Sequence, residues 1–456
     1  VLTLGFLFAY ALVLVAMVRW KKQAKTLSML TLALVLVEMT TSAYMTLTAL
    51  KVEWNFPTNE YYLMESKEIP KLVEETKEAN QTFYRMERTA DRTKNDNMKY
   101  GYNGISQFSS IRNKSSNSTL SQLGFRSDGE NQTVSYRNNT ILMDSIFGIK
   151  YNINQGSFDK YGYIPVDTIN GVSLYQNTKA SQLALLTAGR YEDVQFINNY
   201  LANQSSFINR ISGLNLNYFT ELQQGSSTGV ETVDNKYQST NKENGTITVT
   251  YQVHIPANTQ VYMHFSGFEF TEPTGQIVHV EADGNTFDYN TNREFMQFNI
   301  GNFSRDVTAT VKVTFPGQSK ISYASVNFYG LNINNYVTAM NTINSRKVTV
   351  TTKKNKVTAD YTAQEDASLL FTLPYDKGWT ATLNSKKVEV KQAQTGFMKV
   401  DVPKGSGTVV LKFVPRGFKL GLICTIIGLA ALYVYDDVER AKRNYTNLKQ
   451  KLTKSK

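Results

Sequence analysis

Residues 27–50, LSMLTLALVLVEMTTSAYMTLTAL, hold a single charge, Glu38, in 24 positions. A helix of about 20 apolar residues crosses the hydrocarbon of a bilayer, and this run qualifies by length and composition. Two further runs resemble it. Residues 1–18 are almost wholly apolar, and 420–435, LGLICTIIGLAALYVY, include the small residues that suit helix packing in lipid. The last span is taken as 417–435, with its first residues in the interface. The first is read as truncated, because the chain opens at Val1 inside an apolar run. A secretory signal would show a basic start and a small-residue cleavage site, and this run shows neither.

Charge orients the spans. Residues 19–26 carry Arg19, Lys21, Lys22 and Lys25 with no acid, and the tail 436–456 has seven basic residues against three acidic. The stretch 51–415 has 36 basic against 34 acidic residues. Most of the +11 net charge therefore flanks apolar runs, as cytoplasmic loops do. The expected topology puts 19–26 and 436–456 in the cytoplasm and 51–415 outside the cytoplasmic membrane. Nucleic-acid binding would need a basic face on the large region, and near-neutrality excludes it. The bilayer is the partner expected for the tail.

Aromatic residues make up 12% of the chain, enough to fill a large core, so disorder is excluded. One cysteine, Cys424, excludes a disulfide scaffold and a Cys-ligated zinc site. His254, His264 and His279 lack nearby acid spacing, and no metal site is expected. Nor is there a nucleophile elbow or a phosphate loop.

Residues 51–204 read as mixed α/β. Pro70 is placed to open a helix over 71–81, 83–88 is strand-like, and 91–118 reads as a long polar loop. Residues 141–147 form a helix closed by Gly148 and followed by a strand at 149–153, and 191–202 reads as an amphipathic helix. Residues 205–345 form the next domain, and from about 243 the period becomes two. Ile247, Val249, Tyr251, Val253 and Ile255 alternate with polar residues, as do Val307, Ala309, Val311, Val313 and Phe315, which predicts a β-sandwich. A helix is expected over 336–343. Residues 346–415 form a small membrane-proximal β domain, opening with a hairpin about Lys353–Lys356. The fold class is thus a multi-pass membrane protein fragment: three transmembrane α-helices and a large α+β extracytoplasmic region containing β-sandwich units.

Six segments together resemble one family. They are FYRMER (83–88), NDNMKYGYNGISQFSS (95–110), TLSQLGF (119–125), DSIFGIKYNI (144–153), SLLFTLPYDKGWTATLNSKKVEV (368–390) and GFMKVDVPKGSGTVVLKFVPRGFKLGL (396–422). In sequence and order they resemble the C-terminal part of the bacterial YfhO family. The resemblance implies a GT-C type glycosyltransferase. Its donor would be a polyprenyl-phosphate sugar, its acceptor an envelope polysaccharide or teichoic acid such as lipoteichoic acid. The catalytic acid would lie in the first extracytoplasmic loop of the same protein, which together with partner transmembrane helices lies upstream of this segment, so no catalytic residue and no cofactor is assigned here. The alternative is a non-enzymatic, membrane-tethered carbohydrate-binding or envelope-assembly module.

The residues offer candidates for substrate contact. Glu38 is costly in mid-membrane, about 2.5–3.5 kcal/mol, and so must face protein or a polar cavity. Arg85 suits phosphate, while Tyr100, Tyr102, Asn103 and Ser106 suit sugar rings and hydroxyls. Trp379 follows a turn in which Gly378 is expected to take positive φ, and could serve as a sugar platform. For each the bland reading is a packing or hydrogen-bonding role.

Overall fold

The computed structural model describes residues 2–54, 57–89, 92–128, 132–136, 139–240, 242–243, 246–270, 277–290 and 297–454. The chain divides into two units, Val1–Met64 and Glu65–Lys456.

The first unit is a helical hairpin, Leu2–Arg19 and Ala24–Glu53, joined by the short turn Lys21–Gln23. Among the described residues of these two helices only Leu27 is buried, so the apolar surface faces outward. The hydroxyls turn inward instead: Thr31, Thr40, Thr41 and Thr48 each donate to the carbonyl four residues back, at 2.7–2.9 Å. Phe418–Lys454, in the second unit, also contains a stretch long and apolar enough to cross a membrane. It continues as helix through the basic tail, where Arg440 pairs with Asp436 one turn back.

In the second unit the helix Glu68–Glu78 begins three residues before Lys71, with Pro70 in its first turn, where its missing N–H is not needed. It buries Ile69, Leu72 and Val73 against a sheet ordered Arg85–Arg88, Ile149–Gln155, Val172–Asn177, Tyr163–Ile169. The first pair in that sheet is parallel.

The polar loop expected over 91–118 is corrected. It contains the helix Asp96–Tyr100, the strand Gln107–Phe108 and the start of the helix Lys114–Gln122. Its polar residues bond to backbone, Asn113 as the N-cap of the last of these helices and Asp96 by reaching back to the turn before its own. The Asp96 carboxylate accepts from the backbone N–H of Arg92 and Thr93, and Asn113 Oδ1 accepts from Ser116 N–H. Asp91 lies outside the described residues.

The amphipathic helix expected over 191–202 is also corrected. Helix begins only at Tyr200 and runs to Ser212. The segment before it stays irregular because two amide side chains occupy its backbone groups. Gln394 accepts from Val194 N–H and donates to Val194 O, while Asn203 does the same for Ile197.

The period-two region is built on two facing sheets, with a third of four short strands, Glu231–Val233, Lys236–Ser239, Ile321–Tyr323 and Glu269–Phe270. Thr246–Ile255 pairs antiparallel with Val307–Phe315 over nine positions, from Ile247 opposite Phe315 to Ile255 opposite Val307. The inward residues of both strands are buried with those of the second sheet, in which Thr259–Ser266 lies between Gln297–Phe303 and Ser325–Asn332. That second sheet is covered on both faces. Its outer side gives Tyr262 and Leu331 to a separate core with Tyr336 and Met340 of the helix Ile333–Asn344.

The last β segment forms its expected hairpin, Val350 opposite Ala359 and Lys353 opposite Lys356. Its second sheet recruits an upstream strand: Ala184–Leu186 pairs with Ala367–Phe371. Residues from 183–186 and 348–411 thus share one core. Gly378 does not adopt positive φ. It is required for space, since a Cβ there would lie 2.4 Å from Val414 O.

Candidate functional site

The strand Arg85–Arg88 is buried along its whole length although three of its four residues are charged. Each charge has a specific partner. Arg85 donates from Nη1 to Phe147 O (2.5 Å) and Thr372 Oγ1 (3.0 Å), and from Nη2 to Thr372 O (2.7 Å). Its guanidinium carbon sits 5.4 Å from the centre of the Phe83 ring. Burial lowers its pKa to about 10, so it stays charged at neutral pH.

Glu87 holds the next loop. Its carboxylate accepts from Ile105 N–H, from Ser106 N–H at 2.9 Å and from Ser106 Oγ at 2.8 Å. Arg88 pairs with Glu65 (2.6 Å) and Asp96 (3.1 Å), and Arg92 closes on Glu65 at 2.8 Å. Burial works to raise the Glu65 carboxyl, but Arg92 and Arg88 outweigh it and hold the group below its ordinary value.

These bonds shape a cavity of about 330 Å³ walled by Phe83, Arg85, Tyr102, Asn103, Pro374 and Phe397 among others. Three of the sequence candidates meet there: Arg85, Tyr102 and Asn103. Asn103 is anchored by a 3.3 Å bond from Nδ2 to Tyr84 O. The others lie elsewhere. Tyr100 is 8% exposed and packs with Ile69, Leu72 and Met86. Ser106 Oγ is engaged by Glu87 and by Tyr136 N–H (3.0 Å). Trp379 packs on Phe413, ring centres 5.0 Å apart. Glu38, in the first unit, accepts a 2.6 Å hydrogen bond from Tyr10 Oη on the preceding helix.

Residues 1–425 match the family described as "Bacterial membrane protein YfhO". The chain belongs to the YfhO family. The uncharacterized protein YfhO of Bacillus subtilis (strain 168) is 27% identical over 134 residues, which is 28% of this chain and 16% of that protein. Among solved structures, a cycloisomaltooligosaccharide glucanotransferase of Paenibacillus sp. overlaps 43% of this chain and 46% of its own, at 7% identity and a TM-score of 0.19. A conserved protein of unknown function, PA5104 of Pseudomonas aeruginosa PAO1, overlaps 42% and 92%, at 10% identity and a TM-score of 0.15. Overlaps at this level carry no argument about fold or activity.

The YfhO-like segments converge in space. Each of the six places at least one residue in the wall of the Arg85 cavity: Phe83, Asn97, Leu120, Phe147, Thr372 and Phe397 come from successive segments. Sequence reasoning reached Arg85 but missed Thr372, 287 positions away, and Phe397, which lies further still; only the order of the segments hinted at a common site.

A second polar cluster went unread in the sequence. The buried Lys160 ammonium donates to Tyr136 Oη (2.6 Å), Asp144 Oδ2 (3.0 Å) and Asn152 Oδ1 (3.4 Å), and Tyr163 Oη donates to the same Asp144 oxygen (2.8 Å). The three ammonium protons are all used, so the cluster reads as a structural joint. Among the described residues no group of His, Cys, Asp and Glu is arranged to hold a metal.

Proposed function

We propose that this chain is the C-terminal part of a membrane glycosyltransferase that moves a sugar from a polyprenyl-phosphate donor to an envelope polymer such as lipoteichoic acid. In this reading residues 51–415 lie outside the cytoplasmic membrane and the Arg85 cavity holds the acceptor. The supporting observation is the convergence of all six YfhO-like segments on that one cavity. Its chemistry suits a polyol phosphate. Arg85 supplies a cation that burial does not neutralise, Phe83 and Tyr102 supply ring faces, and Asn103 supplies an amide. In this reading the carboxylate base that activates the acceptor hydroxyl belongs to the first extracytoplasmic loop of the same protein, outside this segment.

The test uses the full-length protein in membranes, with sugar transfer to lipoteichoic acid measured against acceptor concentration. Tyr102→Ala and Asn103→Ala should each raise the acceptor KM about tenfold with little change in kcat, the signature of lost ground-state contacts. Unchanged kinetics in both variants would count against acceptor binding at this cavity.

A further inference from the structure

A cavity of about 730 Å³ opens where the 196–201 segment and the end of the helix Lys114–Gln122 meet the sheet containing His264 and Tyr329. None of its lining residues is Asp, Glu, Lys or Arg. Burial lowers the pKa of the one imidazole, His264, and so favours its neutral form.

The wall is firmly built. Asn203 stitches its two rims together, donating to Gln122 O (2.9 Å) and Ile197 O (2.8 Å). Ser266 Oγ meets Ser325 Oγ at 2.6 Å, and Ser325 Oγ donates to Asn327 Oδ1 at 3.1 Å. Tyr200 stands edge-on to His264, ring centres 5.9 Å apart. It is backed by Gly124, where a Cβ would lie 2.8 Å from the Tyr200 ring. The Tyr200 hydroxyl is buried and has no hydrogen-bond partner among the described residues. Gln122 and Asn198, which carry side-chain amides, and Tyr329, which carries a phenol, belong to the same lining.

Three ligand classes can be compared on this wall. An ionised ligand would lose hydration at a lining with no ionised side chain, and Glu221, the carboxylate behind Asn327, is already engaged by its Nδ2 at 2.6 Å. A purely apolar one would strand the amides and hydroxyls. A neutral molecule with many hydroxyls and a flat carbon face satisfies both constraints. The volume falls within the roughly 300–1,000 Å³ of small-molecule sites.

We propose that this cavity is a carbohydrate subsite for a neutral sugar unit, bonded by Gln122 and Asn198 and stacked on Tyr329. Its biological meaning rests on the acceptor-holding reading above. The two cavities share a helix: Lys114–Gln122 gives Ser116 and Leu120 to the Arg85 cavity, and Ser121 and Gln122 to this one. A charged unit of the polymer is recognised at the first and an uncharged sugar at the second.

The experiment uses the full chain in phospholipid nanodiscs, which avoids sugar-headed detergents. Maltose, cellobiose and N,N′-diacetylchitobiose are the probes, read by saturation-transfer NMR and titration calorimetry. At least one should bind with a roughly millimolar Kd. That Kd should hold between about 50 mM and about 500 mM salt, because no ion pair contributes. Gln122→Ala, at an exposed position, and Tyr329→Ala should each weaken it about tenfold at unchanged melting temperature. Absence of binding by all three probes, or binding that survives both substitutions, overturns the subsite. Loss of sugar transfer in the Arg85-cavity variants with disaccharide binding intact leaves it standing. Disaccharide binding lost while transfer persists removes the subsite alone.

Discussion

Arg85 shows how a residue chosen for one chemistry carries another. A guanidinium suits phosphate as a cation, and here three of its N–H groups also hold Phe147 O and both oxygens of Thr372. Arg85→Met would strand two buried carbonyls and should cost about 2–4 kcal/mol in denaturant unfolding. Arg85→Lys should recover only part, because a point charge lacks the fork; full stability in the Met variant would contradict this role. Glu65 gives a pH prediction. Its folded-state pKa lies below the ordinary 4.5, so the folded protein binds fewer protons in acid than the unfolded chain. The contribution is complete above about pH 4.5 and is lost as pH falls through the folded value. Glu65→Gln should flatten the acid limb of a melting-temperature profile, and an unchanged limb would refute the assignment. Glu38 illustrates the limit of reading one residue. A lone acid in an apolar run asks for a partner, and the sequence could not reveal that Tyr10, 28 positions earlier, supplies it.

At the scale of elements, periodicity was legible and side-chain bonding to backbone was not. The strands Thr246–Ile255 and Val307–Phe315 follow their alternation because each has one buried face and one polar face. The segment 191–199 also had helical spacing, but Gln394 and Asn203, distant in sequence or beyond its end, bind the backbone groups a helix would use. Gln394→Ala removes bonds to Val194 N and O and to Tyr191 Oη. It should cost about 2–3 kcal/mol and speed amide exchange across 191–199 above that of the sandwich strands. Unaltered exchange there would show that other contacts hold the segment. The helices within 95–122 were hidden for a related reason: their Asn, Asp and Ser residues look like loop composition, yet Asn113 caps one helix and Asp96 pins the turn that precedes the other.

At the scale of the whole molecule, the apolar runs and their basic flanks announced three long helices, and all three are present. The cavities were much less legible. The Arg85 site draws on residues from 83 to 397, and no local pattern announces a wall assembled over that distance. The most direct measurement is the sugar content of envelope polymers from a strain lacking the full gene, compared by NMR with strains restored by the wild-type gene or the Tyr102→Ala, Asn103→Ala double variant. Glycosylation of the acceptor polymer should disappear on deletion, return with the wild type, and return only partly with the double variant. Unchanged glycosylation of every envelope polymer in the deletion strain would contradict the proposed function.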